Sequence, residues 1–246
     1  MPAAGELARS VYVSTSRTVR EAARRSGLLD RLDRRYHQDP RSVRGHLRTL
    51  FAIHDVEDLV ELDQPWWTYG AIDAVERHLA ALGGRARVFE YGSGASSVWL
   101  GRRAGEVHSV EHHAGFAGVM RDVLAEAGLD ATVTLLEVPP TQDDEPRVPS
   151  GRRGEEGRDY ADYVAAIDGV AGEFDLVVVD GRARVACLQA AARRLAPGGL
   201  VLFDDSQRPR YAAGLAGSGL AVRRVRGWVP SLPYPRETAL LRFARA

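Results

Sequence analysis

Acidic side chains stand at the ends of several predicted strands, and three of them could form a reactive cluster. Asp180 follows the apolar run 174–179, and Asp204 and Asp205 follow the run 200–203. Carboxylates of this kind can hold a hard divalent ion such as Mg²⁺, which lowers the pKa of a hydroxyl bound to it. Without a metal, a histidine or a carboxylate such as Asp180 would have to remove the proton itself. We therefore expect these three aspartates to form a catalytic site and to be the candidate metal ligands.

A second group of residues predicts a ligand-binding turn. The stretch 88–97 reads as a buried strand with an acidic residue near its end, a Gly-x-Gly turn and the start of a helix. Glycine leaves no side chain between the main chain and a ligand, and the free amides of a helix start favour a negatively charged group. A tight turn without any ligand is the alternative. The candidate ligand-binding residues here are Glu90, Gly92, Ser93, Gly94 and Ser96.

The next predicted strand, 107–110, ends in another acidic residue, Glu111, 21 positions after Glu90. In nucleotide-binding α/β folds an acid in this place binds the hydroxyls of a ribose. His112 follows directly and is expected to line the same site, with plain solvent exposure as the alternative. Trp67 and Thr68 precede a predicted helix over 71–82, which should bring them to the same edge. A place in the apolar core is the alternative for at least one of the two tryptophans, Trp66 and Trp67.

These residues need a common scaffold, and the hydrophobic pattern supplies one. Short runs rich in β-branched residues alternate with helical segments, which is typical of a parallel sheet covered by helices on both faces. The carboxyl ends of parallel strands meet at one edge, where open α/β sheets bind ligands. The segments 220–225 and 238–243 are predicted as a final pair of strands, and the polar stretch 139–159 as a loop.

Together the motifs resemble those of the class I S-adenosylmethionine-dependent methyltransferases over roughly 66–243. The resemblance depends on the acid two places before Gly92, on Glu111 and Asp180, and on Pro-Gly-Gly before a strand that ends in Asp-Asp. It implies a Rossmann-like seven-stranded sheet, S-adenosylmethionine as cofactor, and methyl transfer to an oxygen of a small molecule such as a sugar, phenol or secondary metabolite. A Rossmann-type NAD-dependent oxidoreductase and a non-catalytic binding module are the alternatives.

Within that family, metal-dependent O-methyltransferases carry acids at the positions of Asp180 and the pair Asp204-Asp205, which makes Mg²⁺ a possible second cofactor. The lysine or further acid that serves those enzymes as a base has no counterpart after Asp180. Arg182, Arg184, Arg208 and Arg210 are expected at the same edge, where they could bind an anionic acceptor or a phosphate, or neutralise the acids.

Composition limits the remaining choices. The chain of 246 residues has 45% apolar residues, no net charge, no lysine and one cysteine, Cys187, for which we expect a packing role. Residues 1–62 are predicted to form a basic helical arm, with 11 arginines against 5 acids among the first 50, and residues 63–246 the methyltransferase domain. We expect a cytoplasmic enzyme without a membrane span or nucleic-acid partner, and a homodimer is one possible assembly.

Overall fold

The computed structural model describes residues 23–52 and 56–244, and the rest of the predicted arm lies outside the described residues. The helices are α1 (Leu28–Gln38), α2 (Val43–Thr49), α3 (Val56–Glu61), α4 (Tyr69–Ala81), α5 (Ala95–Gly101), α6 (Ala114–Glu126), α7 (Ala161–Ala165), α8 (Arg184–Arg193) and α9 (Ala212–Ala216). The strands are β1 (Arg87–Tyr91), β2 (Glu106–Glu111), β3 (Val133–Glu137), β4 (Thr141–Gln142), β5 (Arg158–Asp159), β6 (Phe174–Val179), β7 (Leu195–Phe203), β8 (Ala221–Gly227) and β9 (Arg236–Arg242).

Seven strands form one mixed sheet in the order β3-β2-β1-β6-β7-β9-β8. The first five are parallel, whereas β9 is antiparallel to both β7 and β8. This sheet confirms the predicted class I arrangement, including the closing pair of strands. From β1 the chain adds β2 and β3 on one side, and it then crosses over to add β6 and β7 on the other side of β1. Open α/β sheets bind ligands in the crevice where the strand order changes direction in this way.

Each face of the sheet carries its own apolar core. Alternate residues of β1, β6 and β7, such as Phe89 and Val177, pack against α8 on one face. The intervening residues, such as Val88 and Leu176, pack against α4, α5 and α6 on the other. Because successive side chains of a strand point to opposite faces, the continuous apolar runs of the sequence fill both cores. Cys187 is buried in the first core, as its apolar surroundings predicted.

The described helices of the N-terminal segment pack on the sheet domain. Tyr36, Leu59 and Leu62 form a small core with Ala95 at the start of α5. Ser231 donates its backbone N–H to the Thr49 hydroxyl at 3.0 Å, which ties this segment to the loop between β8 and β9. The domain boundary at residue 62, the homodimer and the cytoplasmic location stay predictions. None of the helices in the described ranges has the length and apolar character that crossing a bilayer requires.

Two segments differ in detail from the sequence-based expectation. The Pro-Gly-Gly sequence lies inside β7, which starts at Leu195 with a pairing to Phe174 and is irregular before Leu200. The loop 139–159 contains the two-stranded ribbon β4-β5, and the buried Asp159 accepts hydrogen bonds from the backbone N–H groups of Val148 and Ala161. A buried carboxylate that satisfies backbone donors organises the end of this loop.

Candidate active site

The first glycine of the predicted turn is required by the fold itself. Gly92 has a φ of 97°, and a β-carbon there would lie 2.7 Å from the Cα of Gly181. Both conditions exclude a side chain, because φ values of this sign strain other residues and the approaching atoms are backbone. Gly92 therefore allows the loop after β6 to pack directly on the turn after β1.

The second glycine has open space around it. A β-carbon on Gly94 would meet only the Ser96 hydroxyl, at 4.0 Å, and the backbone there is extended, with a φ of 170°. Neither packing nor backbone strain in the described structure therefore calls for glycine at this position. The open space fits the prediction that a ligand approaches the main chain at Gly94.

Glu90 is fully buried, and three serine hydroxyls surround its carboxylate. Ser96 donates to Oε1 at 2.5 Å, while Ser97 and Ser109 donate to Oε2 at 2.5 and 2.7 Å. Burial nevertheless raises the pKa of Glu90 to about 7, although the three hydroxyls oppose the shift. In this arrangement Glu90 and Ser96 hold the turn together from behind.

Glu111 lies at the end of β2 and is also buried. Its Oε1 accepts the backbone N–H of His113 at 2.8 Å and lies 2.8 Å from Nδ1 of His112, while its Oε2 accepts the Ser93 hydroxyl at 3.1 Å. Burial works against ionisation, but these donors lower the pKa of Glu111 below its ordinary value. The predicted residues Ser93, Glu111 and His112 thus form one connected group beside the glycine turn.

Trp67 and Thr68 are both fully buried at the start of α4. Trp67 packs edge-to-face against Trp99, and its side chain lies near enough to Asp180 to oppose the rise that burial gives the pKa of that carboxyl. Thr68 donates its hydroxyl to the Val225 carbonyl at 3.4 Å and its backbone N–H to the Thr238 hydroxyl at 3.3 Å. Trp67 therefore reaches the acidic cluster, whereas the polar atoms of Thr68 are engaged with β8 and β9.

The three predicted aspartates gather at the carboxyl edge of the sheet, and Arg184 lies among them. Its Nη2 donates to Asp180 Oδ1 at 2.7 Å, and its Nη1 lies 3.9 Å from Asp204 Oδ2 and 4.0 Å from Asp205 Oδ2. The Arg184 side chain is 9% exposed, and its acidic neighbours raise its pKa against the effect of burial. The guanidinium is therefore a permanent positive charge at the centre of the cluster.

The outer carboxylate carries further arginines. Asp205 accepts hydrogen bonds from Arg208 and, at 3.0 Å, from Arg236. Asp204 accepts the Thr238 hydroxyl at 2.9 Å, and burial together with the charge of Asp180 raises the pKa of Asp204 well above its ordinary value. Burial also raises the pKa of Asp180, with Arg184 opposing the shift and Asp205 adding to it.

This donor set does not fit a divalent cation as it stands. The guanidinium of Arg184 occupies the centre of the acidic cluster, and Asp205 is neutralised by two more arginines. Across residues 23–52 and 56–244, no three His, Cys, Asp or Glu side chains converge in a way that could hold a metal ion. We therefore derive no step through Mg²⁺.

A cavity of about 530 Å³ opens directly on the aspartates. Its floor is Asp180, Asp204, Asp205 and Arg184, and its opposite wall comes from the loop between β8 and β9. The wall residues include Val229, Leu232, Pro233 and Tyr234, with Trp66 and Arg236 at the sides. A volume of this size holds a small molecule, and a wall that is largely apolar facing a few polar groups is typical of such sites.

Three of the residues that complete the site were not among the sequence-based candidates. Ser109 pairs with Glu90 in the register between β1 and β2, so its place beside the carboxylate follows from strand alignment. Thr238 and Arg236 open β9, whose Ala239 pairs with Phe203 directly before Asp204. The predicted closing strand begins at Thr238, so an antiparallel alignment of that strand with the strand over 200–203 would have placed Thr238 beside Asp204.

Comparison with known proteins identifies the domain that carries these residues. Residues 89–206 match the sequence model of a family described as a methyltransferase domain, which covers the glycine turn, Glu111 and all three aspartates. A search of curated proteins found no significant match to the chain.

Solved structures share the fold. The O-methyltransferase TomG from Streptomyces achromogenes, involved in tomaymycin synthesis and crystallised with SAM, is 21% identical, with a TM-score of 0.52 over 78% of this chain and 88% of that one. Cofactor-bound Rv0187 from MTB is 22% identical, with a TM-score of 0.52 over 83% of this chain and 93% of that one. At these identities the likeness establishes the fold.

Proposed function

We propose that this protein, a class I S-adenosylmethionine-dependent methyltransferase, transfers the methyl group to an oxygen atom of a small molecule such as a sugar, phenol or secondary metabolite. The observation that carries the proposal is the direct contact between the predicted cofactor turn and the cavity above the aspartates. The Asp180 backbone N–H donates to the Tyr91 carbonyl at 3.0 Å, so the floor of the 530 Å³ cavity joins the glycine turn directly. The O-methyltransferase TomG, which has the same fold and was crystallised with SAM, agrees with an oxygen acceptor.

The residues at the turn fit the cofactor. Open space at Gly94 leaves room for it against the main chain, and the lowered pKa of Glu111 keeps that carboxylate ionised to accept ribose hydroxyls. Ser93 and His112, which contact Glu111, would hold the carboxylate in place. Bound here, S-adenosylmethionine would supply a methyl group that an acceptor oxygen can attack at carbon, because the positively charged sulfur is a good leaving group.

The chain's own residues then have to align the acceptor and remove its proton. Asp180 is the base we propose, because its side chain lines the cavity and is 23% exposed, whereas Asp204 is further buried and bonded to Thr238. Its raised pKa makes it a better proton acceptor than an ordinary aspartate. Arg184 donates to the Asp180 carboxylate and would fix its orientation, and the apolar loop wall would shield a bound acceptor from water.

Titration calorimetry and thermal unfolding with S-adenosylhomocysteine and NADH test the cofactor first. We expect S-adenosylhomocysteine to bind and to raise the Tm, and NADH to do neither. Stabilisation by NADH alone would refute the proposal in favour of an oxidoreductase. Radiolabelled S-adenosylmethionine with a panel of phenols, sugars and amines then tests the acceptor atom. Cofactor binding without transfer to any member of the panel would point to a non-catalytic module.

A further inference from the structure

A second cavity, of about 140 Å³, lies at the same edge of the sheet and is unlike the first. Four arginines surround it in addition to Arg184. The residues that distinguish it are Arg152, Arg182, Arg208, Arg210, Ser150 and Tyr211. Its volume is below the range that encloses a whole small molecule, so it suits a single chemical group. We call it the arginine pocket.

The positive charge of the arginine pocket is only partly balanced. Arg208 is paired with Asp205, and Arg182 Nε lies 3.5 Å from Glu155 Oε1. Arg152 and Arg210 have no acidic partner within 4.0 Å among residues 23–52 and 56–244. Repulsion from Arg182 lowers the pKa of Arg152, which shows that these cations are close enough to oppose one another.

Unsatisfied donors in the arginine pocket also suit an anionic ligand. Ser150 is only 8% exposed, yet its buried hydroxyl has no hydrogen-bond partner in the described structure. The buried Nε of Arg182, which lies 3.5 Å from Glu155 Oε1, makes no hydrogen bond there either. Buried donors of this kind are normally paired, because a donor that loses its hydrogen bonds to water on burial needs a replacement partner.

The arginine pocket adjoins the acceptor cavity. Arg184 lines both, and Arg208 on the side of the arginine pocket holds Asp205 in the floor of the larger cavity. A ligand seated over Asp180 could therefore place a short charged arm among the arginines. Guanidinium groups bind phosphate oxygens in pairs, which gives geometric specificity as well as affinity.

We propose that the arginine pocket binds a phosphate ester on the methyl acceptor, so that the enzyme methylates a phosphorylated small molecule. This inference rests on the proposed function, because it assigns the second cavity to the same acceptor. The phosphoryl group would be held by Arg152 and Arg210 at the rim and by Ser150 and Arg182 within. The rest of the acceptor would lie over Asp180 beneath the loop wall.

Titration calorimetry of the full chain saturated with S-adenosylhomocysteine tests the site, with inorganic phosphate and phenyl phosphate as probes. The pocket variant is Arg152→Gln/Arg210→Gln, and the matched control is Arg77→Gln/Arg223→Gln, which removes the same charge from two exposed arginines of a different surface cavity. We expect both probes to bind at least tenfold more weakly to the pocket variant and within twofold of wild type to the control. Thermal unfolding verifies that each variant is folded, and Arg152→Gln alone replaces the double variant if it is not.

A further variant tests whether the two cavities hold one ligand. Tyr234→Ala changes the wall of the acceptor cavity, so it should weaken phenyl phosphate about threefold or more and leave inorganic phosphate unchanged. Equal losses in the pocket variant and the control would overturn the anion site, as would a failure of wild type to bind either probe. An unchanged affinity of Tyr234→Ala for phenyl phosphate would overturn the assignment of the bound phosphate to the methyl acceptor. Failure of S-adenosylhomocysteine to bind would instead count against the proposed function, and phosphate titration without it would still report on the pocket.

Discussion

Gly92 packs against Gly181 so closely that a β-carbon on the first residue would lie 2.7 Å from the Cα of the second. The contact joins the turn after β1 to the loop after β6, the two segments that would carry the cofactor and the proposed base. Close packing of the two loops without side chains between them brings Asp180 next to the cofactor site. The two glycines of the Gly-x-Gly turn consequently have different roles, since Gly94 faces open space.

Alanine at each glycine separates these roles. Gly92→Ala should lower the free energy of unfolding by about 1–3 kcal/mol, because it combines a strained positive φ with a backbone clash. Gly94→Ala should leave stability within about 0.5 kcal/mol of wild type but weaken S-adenosylhomocysteine at least tenfold, or about 1.4 kcal/mol. Denaturant unfolding and calorimetry measure the two effects. Normal cofactor affinity in a stable Gly94→Ala would show that the ligand does not approach there.

Sequence reasoning found the sheet because its signals are local. Apolar runs such as 174–179, ended by an acid, identify buried strands, and parallel strands necessarily bring their ends together. The charge balance among those ends could not be derived in this way. Arg184 was expected near the edge, but whether it contacts acids or an acceptor depends on side-chain orientation after α8 has docked. The contact between Ser150 and the arginine pocket depends similarly on how the loop 139–159 folds.

The raised pKa of Glu90 predicts a pH-dependent contribution to stability. Its ordinary value is 4.5 and its value in the fold is about 7. Because the pKa is higher in the folded state, the stabilisation that comes from protonated Glu90 is fully present below about pH 4.5 and is lost as the pH rises towards 7. Relative to wild type, Glu90→Gln should therefore become progressively more stable between pH 5 and pH 8, as measured by denaturant unfolding at four pH values. A stability difference that does not change with pH would contradict the prediction.

Arg184 should be required for folding stability as well as for the site. Arg184→Gln leaves buried carboxylates without their cation, and we expect a loss of about 3–5 kcal/mol. Adding Asp180→Asn should recover part of that loss, because the pair is coupled. A double-mutant cycle by denaturant unfolding measures the coupling, with Arg193→Gln, a side chain 63% exposed, as the control. Strictly additive losses would mean that the ion pair contributes nothing.

Metal removal tests the fit of the acidic cluster. Since arginines already neutralise Asp180 and Asp205, we expect EDTA to change neither S-adenosylhomocysteine affinity nor methyl transfer, and added Mg²⁺ to have no effect. The measurement is the initial rate with the best acceptor found, before and after chelation. A rate abolished by EDTA and restored by Mg²⁺ would show that the arginines yield to a metal during turnover.

The pH dependence of methyl transfer tests Asp180 as the base. The residue must be ionised to accept a proton, and burial raises its pKa, so the rate should rise with pH through a value above the usual 3.8 and then level off. Asp180→Asn should lower kcat by about 10²–10⁴ and remove this rise, while S-adenosylhomocysteine binds as in wild type. Asp205→Asn is the comparison, because the Asp205 carboxylate is held by Arg208 and Arg236. This substitution should change KM more than it changes the shape of the pH profile. If the profile of Asp180→Asn keeps its rise, the proton is taken by another group.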